Sequence, residues 1–162
     1  MFQFGSAVVA MPSAGAWRRL MGIAYESIIL FAVTFFFAYA YSSLAQFKGQ
    51  SGAGRLGLQI WMFLILALYF GFFWSQGRRS LPMKTLSLAV VDRAGAALTV
   101  GRAFGRYCAV LVCLIVPLAL ASRLHPAFAV LLLAPFATTL FDRDRRAVYD
   151  MLSGTRLVFS GN

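Results

Sequence analysis

Residues Leu20–Leu44 read LMGIAYESIILFAVTFFFAYAYSSL, an apolar stretch broken by one charged residue, Glu26. About 20 such residues in a helix, rising about 1.5 Å each, cross a hydrocarbon core about 30 Å thick. Working outward, similar stretches recur at Leu56–Ser75, Ala103–Ala121 and Pro126–Phe141. The second is long enough to span. The third reaches span length only if Arg106 carries its guanidinium to the headgroups along its aliphatic stem. The fourth has 16 residues, roughly 24 Å of α-helix. Segments 103–121 and 126–141 therefore form either a complete helical hairpin or a re-entrant one, and the sequence leaves both open.

Composition points the same way. Of 162 residues, 60% are hydrophobic and 12% charged, with a mean hydropathy of +0.76. A soluble domain is about 45–50% apolar and about 25% charged, so this chain lacks the charge to cover a soluble globule. Sixteen Phe and only two Cys exclude a disordered chain and a disulfide scaffold. The fold class expected is an all-α integral membrane protein, a four-span helical bundle.

The formal charge of +10 is explained by topology. Arg18 and Arg19 precede the first span. Arg78, Arg79, Lys84, Arg93, Arg102 and Arg106 lie between the second and third, and Arg143, Arg145, Arg146 and Arg156 follow the fourth. The alternate side holds Lys48, Arg55 and Arg123. Twelve basic residues against three place both termini in the cytoplasm of a bacterial inner-membrane protein, and nucleic-acid binding becomes unnecessary. Residues 1–16 carry no Lys or Arg and so lack a signal-peptide n-region; they read as a flexible cytoplasmic tail. Residues 17–158 read as a single membrane domain and 159–162 as a second tail.

The cytoplasmic loop 76–101 has its own pattern. Leu86-Ser87-Leu88-Ala89-Val90 alternates at period two, Asp92-Arg93-Ala94-Gly95 signals a turn, and Leu98-Thr99-Val100 is again strand-like. This predicts a small β-hairpin between spans two and three. Arg78, Arg79, Lys84 and Arg93 would rest it on the anionic headgroups of the lipid bilayer. Trp17, Tyr39, Tyr41, Trp61 and Trp74, near the span ends, fit interfacial aromatic anchors.

Among residues that could carry chemistry, Glu26 is the one acid inside a span. It follows Arg19 by seven residues, two helical turns, so both share one face about 10 Å apart along the axis. A carboxylate at that depth costs several kcal/mol unless paired or hydrated, and so faces the bundle interior. It is either a proton- or cation-binding group with a raised pKa or a packing carboxylate paired with a basic residue of a neighbouring helix. Asp150 lies four residues after Arg146, on the same face if the helix continues beyond the fourth span. The cluster Asp142-Arg143-Asp144-Arg145-Arg146 reads as a solvated interfacial helix; the alternative is that Asp150 turns under the bundle to meet Arg19 or Arg18.

His125 stands alone in a short turn and reads as a loop residue. Cys108 and Cys113, five apart, fall on different helix faces, so they read as buried apolar residues with neither a disulfide nor a metal between them. Pro117 and Pro135 can kink their helices. No phosphate loop, nucleophile triad, HExxH or CxxC is present. Neither an enzyme nor any cofactor or metal is expected.

Arg18-Arg19-Leu20 opening the first span, an acid seven positions after Arg19, and Tyr149-Asp150-Met151-Leu152-Ser153-Gly154-Thr155 together resemble the RDD family of membrane proteins. Gly77-Arg78-Arg79-Ser80-Leu81-Pro82-Met83-Lys84 and Val90-Val91-Asp92-Arg93-Ala94-Gly95 are similar to that family's GQTLGK and VVDxxG segments. The resemblance covers about Trp17 to Val158. It implies that the family's arginine and two aspartates fall on Arg19, Glu26 and Asp150. Glu26 departs from the pattern by one methylene, and Tyr149 stands where the family often has His, which removes a titrating imidazole. Some members of the family have been linked to sodium–proton exchange.

The expected function is therefore a cation or proton transporter using Glu26, with Arg19, Asp150 and Arg146 in a supporting charge network. The alternative is a non-catalytic membrane scaffold or assembly partner whose Arg–acid network is structural. Four short spans bury little polar interior, so a homo-oligomer or another membrane protein is an expected partner.

Overall fold

The structure, a computed structural model, describes residues 14–49, 52–141 and 146–159. Among the described residues, three helices are long and apolar enough to cross a membrane: α1 (Ala16–Leu44), α2 (Ala53–Trp74) and, after a one-turn helix α3 (Leu81–Thr85) and strand β1 (Leu88–Asp92), α4 (Val100–Arg123). The fourth apolar segment differs from the uniform helix of the sequence reading. It begins as a 3₁₀ helix (Pro126–Leu133) and becomes α-helical in α5 (Ala134–Phe141). His125 starts it, its Nδ1 accepting from the Ala127 N–H at 3.2 Å. Helix α6 (Val148–Ser153) and strand β2 (Thr155–Phe159) complete the chain.

The outward faces of the long helices are apolar, as lipid contact requires: Phe31 and Phe35 on α1, Leu64 and Leu68 on α2, and Ile115 and Leu118 on α4 are all exposed. The α1–α2 hairpin is tied by three side chains reaching across. Trp61 Nε1 donates to the Phe37 carbonyl at 3.1 Å, Tyr41 donates to the Gly54 carbonyl at 3.0 Å, and Tyr69 donates to Glu26. Between α2 and α4, Tyr107 is buried against Phe63 and Phe70, its hydroxyl donating to the Phe63 carbonyl at 3.1 Å.

The sheet corrects the expected hairpin. β1 pairs antiparallel with β2, from Leu88↔Phe159 to Asp92↔Thr155, not with the segment that follows it. The turn itself forms: Asp92 Oδ1 accepts from the Ala96 N–H at 2.8 Å, and one bridge joins Val91 to Ala97. Beyond it no strand continues, because Thr99 caps α4 through its side chain. Ala96 and Ala97 also have little β preference, whereas Thr155-Arg156-Leu157-Val158-Phe159 is rich in β-branched and apolar residues. Val91 and Val158 are fully buried between these strands and the surrounding chain.

Three parts of the chain therefore meet at one end of the bundle. Ala14, at the start of the described residues, donates its N–H to the Leu157 carbonyl at 3.0 Å, and the Arg18 guanidinium sits 4.1 Å from the Phe159 ring centroid. Residues 1–13 of the expected flexible tail lie outside the described residues, but Ala14 is buried, and β2 carries ordered structure through Phe159, one residue into the expected second tail.

Candidate functional site

Local signals place three charged side chains together at the sheet end. Arg19 lies in the first turn of α1. Arg106 sits two turns into α4, whose start is fixed when Thr99 Oγ1 accepts from the Arg102 N–H at 3.4 Å. Asp150 is the third residue of α6, where a carboxylate can turn back to the helix start; its Oδ2 accepts from the Ala147 N–H at 3.2 Å. Gly154, in the left-handed region at φ 64°, ends α6 and turns the chain into β2.

Asp150 has no exposure to solvent, and its two oxygens face different arginines. Oδ2 accepts from Arg19 Nη1 at 2.5 Å, and Oδ1 lies 2.5 Å from Arg106 Nη1. That second contact is an ion pair without hydrogen-bond alignment, since Arg106 Nη1 donates instead to Thr155 Oγ1. The Arg106 guanidinium is held between two rings, 5.0 Å from the Trp74 centroid and 5.3 Å from that of Tyr149. Arg19 Nε donates to the Ala14 carbonyl at 3.2 Å.

Burial pushes the Asp150 carboxyl up, but Arg106, Arg19 and the Ala147 N–H outweigh it and hold the group below the ordinary carboxylate range. Tyr149 moves the other way. Burial and the neighbouring Asp150 raise its phenol against the opposing arginines, so it stays neutral. This cluster links the starts of α1 and α4 to the C-terminal segment and works as a clamp.

Glu26 lies outside the clamp. Its Oε1 accepts from the Tyr69 hydroxyl at 2.5 Å and its Oε2 from Ser80 Oγ at 2.7 Å. Both donors are neutral, and no ion pair joins Glu26 to Arg19 or Arg106 among the described residues. The basic partner from a neighbouring helix is therefore replaced by two hydroxyls, one from α2 and one from the residue capping α3. Glu26 lines a cavity of about 560 Å³ between α1 and the arm formed by α4, the 3₁₀ helix and α5. Ile23, Leu30, Val110 and Leu114 make much of its wall, and Arg19 and Arg106 complete it at the sheet end.

Several sequence expectations are corrected by burial. Arg106 does not reach out to headgroups; it is 3% exposed, because Asp150 supplies the counter-charge inside. Trp74 is not an interfacial anchor but a core residue, its ring tilted against that of Phe70 at 4.3 Å between centroids and facing Arg106. Trp17 and Tyr39 do stand exposed. Asp150 is not on a solvated helix; it turns under the bundle to meet Arg19, the alternative reading of the sequence. Arg146 precedes α6 in non-helical backbone, so the expected i,i+4 helical register with Asp150 does not form; its main-chain carbonyl accepts from Thr138. Residues 142–145 of the mixed-charge cluster lie outside the described residues. Cys108 and Cys113 are free thiols, half-buried on α4.

Sequence reasoning missed Arg106, Tyr69, Ser80, Trp74 and Thr155 as site residues. One signal was available for Thr155: it follows the glycine that turns α6 back toward Asp150. For the others the signal is three-dimensional, since Tyr69 and Ser80 lie 43 and 54 residues from Glu26.

The model of the RDD family matches residues 13–154, most of the chain. No curated protein matches it at a significant level.

Proposed function

This chain belongs to the RDD family, and on that premise we propose that it is a four-pass bacterial inner-membrane carrier whose Glu26 carboxylate binds a proton or sodium ion. The observation that carries this reading is the separation of Glu26 from the clamp. Asp150 is consumed by two arginines, whereas Glu26 faces a cavity and, among the described residues, is held by the neutral hydroxyls of Tyr69 and Ser80. A carboxylate so placed can take up and release a cation without breaking an ion pair. The role is non-enzymatic, and the clamp closes the cytoplasmic end.

Four passes are supported by length and by where the ends lie. Eight 3₁₀ residues at about 2.0 Å and eight α-helical residues at about 1.5 Å reach roughly 28 Å, close to the hydrocarbon thickness. Ala14, β1 and β2 meet at one end, and that end carries most of the basic residues, which favours a cytoplasmic placement of both termini. Arg78, Lys84 and Arg93 there would meet anionic headgroups, and a second copy or another membrane protein would complete a conduction path.

A second reading, a non-catalytic scaffold, is favoured by the complete burial of Asp150 between Arg19 and Arg106: a network so enclosed stabilises helices whatever else the protein does. The pH- and sodium-dependence of proton flux in proteoliposomes separates the two. Sodium-dependent flux above that of empty liposomes supports the carrier, and silence across several monovalent cations supports the scaffold.

A further inference from the structure

The sheet end of the cavity has a charge imbalance that the clamp leaves open. Among the described residues, Arg19 and Arg106, 2% and 3% exposed, bring two positive charges, and Asp150 returns one. Arg19 Nη2 and Arg106 Nε find no hydrogen-bond partner among the described residues. Buried guanidinium N–H groups without acceptors are costly, and a buried net charge more so. Glu26 does not relieve them, because its oxygens are bonded to Tyr69 and Ser80 about two turns deeper along α1.

The rest of the wall has the opposite character. Leu30, Val110 and Leu132 line the interior, while the rim residues Ile23, Leu114 and Leu133 are exposed on the outside of the bundle. The mouth therefore faces sideways between apolar helices, at the level that lipid chains occupy in a bilayer. An inorganic anion would satisfy the arginines and leave the apolar length of the cavity unfilled; a hydrocarbon would do the reverse.

We propose that the cavity binds a single-chain anionic amphiphile, its carboxylate or phosphate head against Arg19 and Arg106 and its one acyl chain running along α1 and α4. A volume of about 560 Å³ suits one such ligand, since small-molecule pockets span about 300–1,000 Å³. Glu26 lines the same cavity, but amphiphile binding is read without flux, so failure of one reading does not entail failure of the other.

Trp74 lines the cavity whereas Trp17 and Trp61 do not, which provides a reporter. In protein carrying Trp17→Phe and Trp61→Phe, washed exhaustively in detergent, dibrominated stearate should quench Trp74 fluorescence saturably. Oleate or oleoyl lysophosphatidate should displace it and oleylamine should not; which of the two competes better identifies a fatty acid or a membrane phosphate as the source. Loss of charge-assisted hydrogen bonds in Arg19→Gln should weaken binding by about tenfold or more. Val110→Phe fills the apolar wall without touching the clamp and should weaken it similarly at an unchanged melting temperature, with Leu114→Phe in its place if that variant is unstable. Quenching that rises without saturation, equal displacement by oleylamine, or unchanged affinity in the folded cavity-filling variant would overturn the proposal.

Discussion

Arg19 Nη1 and Asp150 Oδ2 lie 2.5 Å apart although 131 residues separate them in sequence, and both side chains are removed from solvent. The contact closes the chain on itself. It joins the first turn of α1 to α6, and Arg106 draws α4 to the same carboxylate. Taking these charges from water is expensive, so the arrangement is stable only while each partner stays.

Asp150→Asn should therefore destabilise the protein by about 3–5 kcal/mol, because two buried guanidiniums lose the carboxylate they share. The expected readout is a large fall in melting temperature in detergent, with poor expression. Arg102→Gln, which removes an exposed partner of Asp92, should change stability by about 1 kcal/mol or less.

The same carboxylate sets an acid limb. Asp150 titrates below its ordinary value of 3.8 when folded, so its contribution is fully present above that value and is lost as pH falls through the lower folded value. Melting temperature should not decline on account of Asp150 between pH 7 and about pH 5, with its loss confined to below about pH 4. A scan of thermal unfolding against pH checks this, and the part of the acid limb due to Asp150 should be missing from Asp150→Asn.

Gly154→Ala should cost about 1 kcal/mol, because alanine pays for φ 64° and glycine does not. A Cβ there would meet nothing closer than Arg93 Nε at 3.6 Å, so the penalty is conformational and not steric. Gly154→Asn should recover part of it, as thermal unfolding of the two variants would show.

Trp74→Ala should lower stability by about 3 kcal/mol through the lost packing against Phe70 and the lost face toward Arg106. Trp17→Ala, at an exposed position, should stay within about 0.5 kcal/mol. Equal effects of the two would contradict the assignment of Trp74 to the core.

Local patterns made the three long helices legible: runs such as Leu20–Leu44 and Leu56–Ser75 contain almost no charge, and span length follows from rise per residue. The turn at Asp92–Gly95 and the strand at Leu88 were legible for the same local reason. The strand's partner was not, because Leu98–Val100 carries a β signal of its own and lies next in sequence, and it loses β1 to Thr155–Phe159 through the cap at Thr99 and the weak β preference of Ala96 and Ala97. Arg106 shows the limit most clearly. Counting charges treats it as one more basic residue at a membrane surface, and its burial depends on an aspartate 44 residues later. The hydroxyls that hold Glu26 were hidden likewise, since Tyr69 and Ser80 are ordinary residues until the helices pack.

The most direct test of Glu26 as a carrier group compares pH-gradient-driven cation flux in proteoliposomes holding wild type and Glu26→Gln. Glutamine can keep hydrogen bonds to Tyr69 and Ser80 but cannot carry the negative charge, so the variant should fold with a melting temperature near that of wild type and show no flux above empty liposomes. A folded Glu26→Gln protein that moves ions at the wild-type rate would contradict the account.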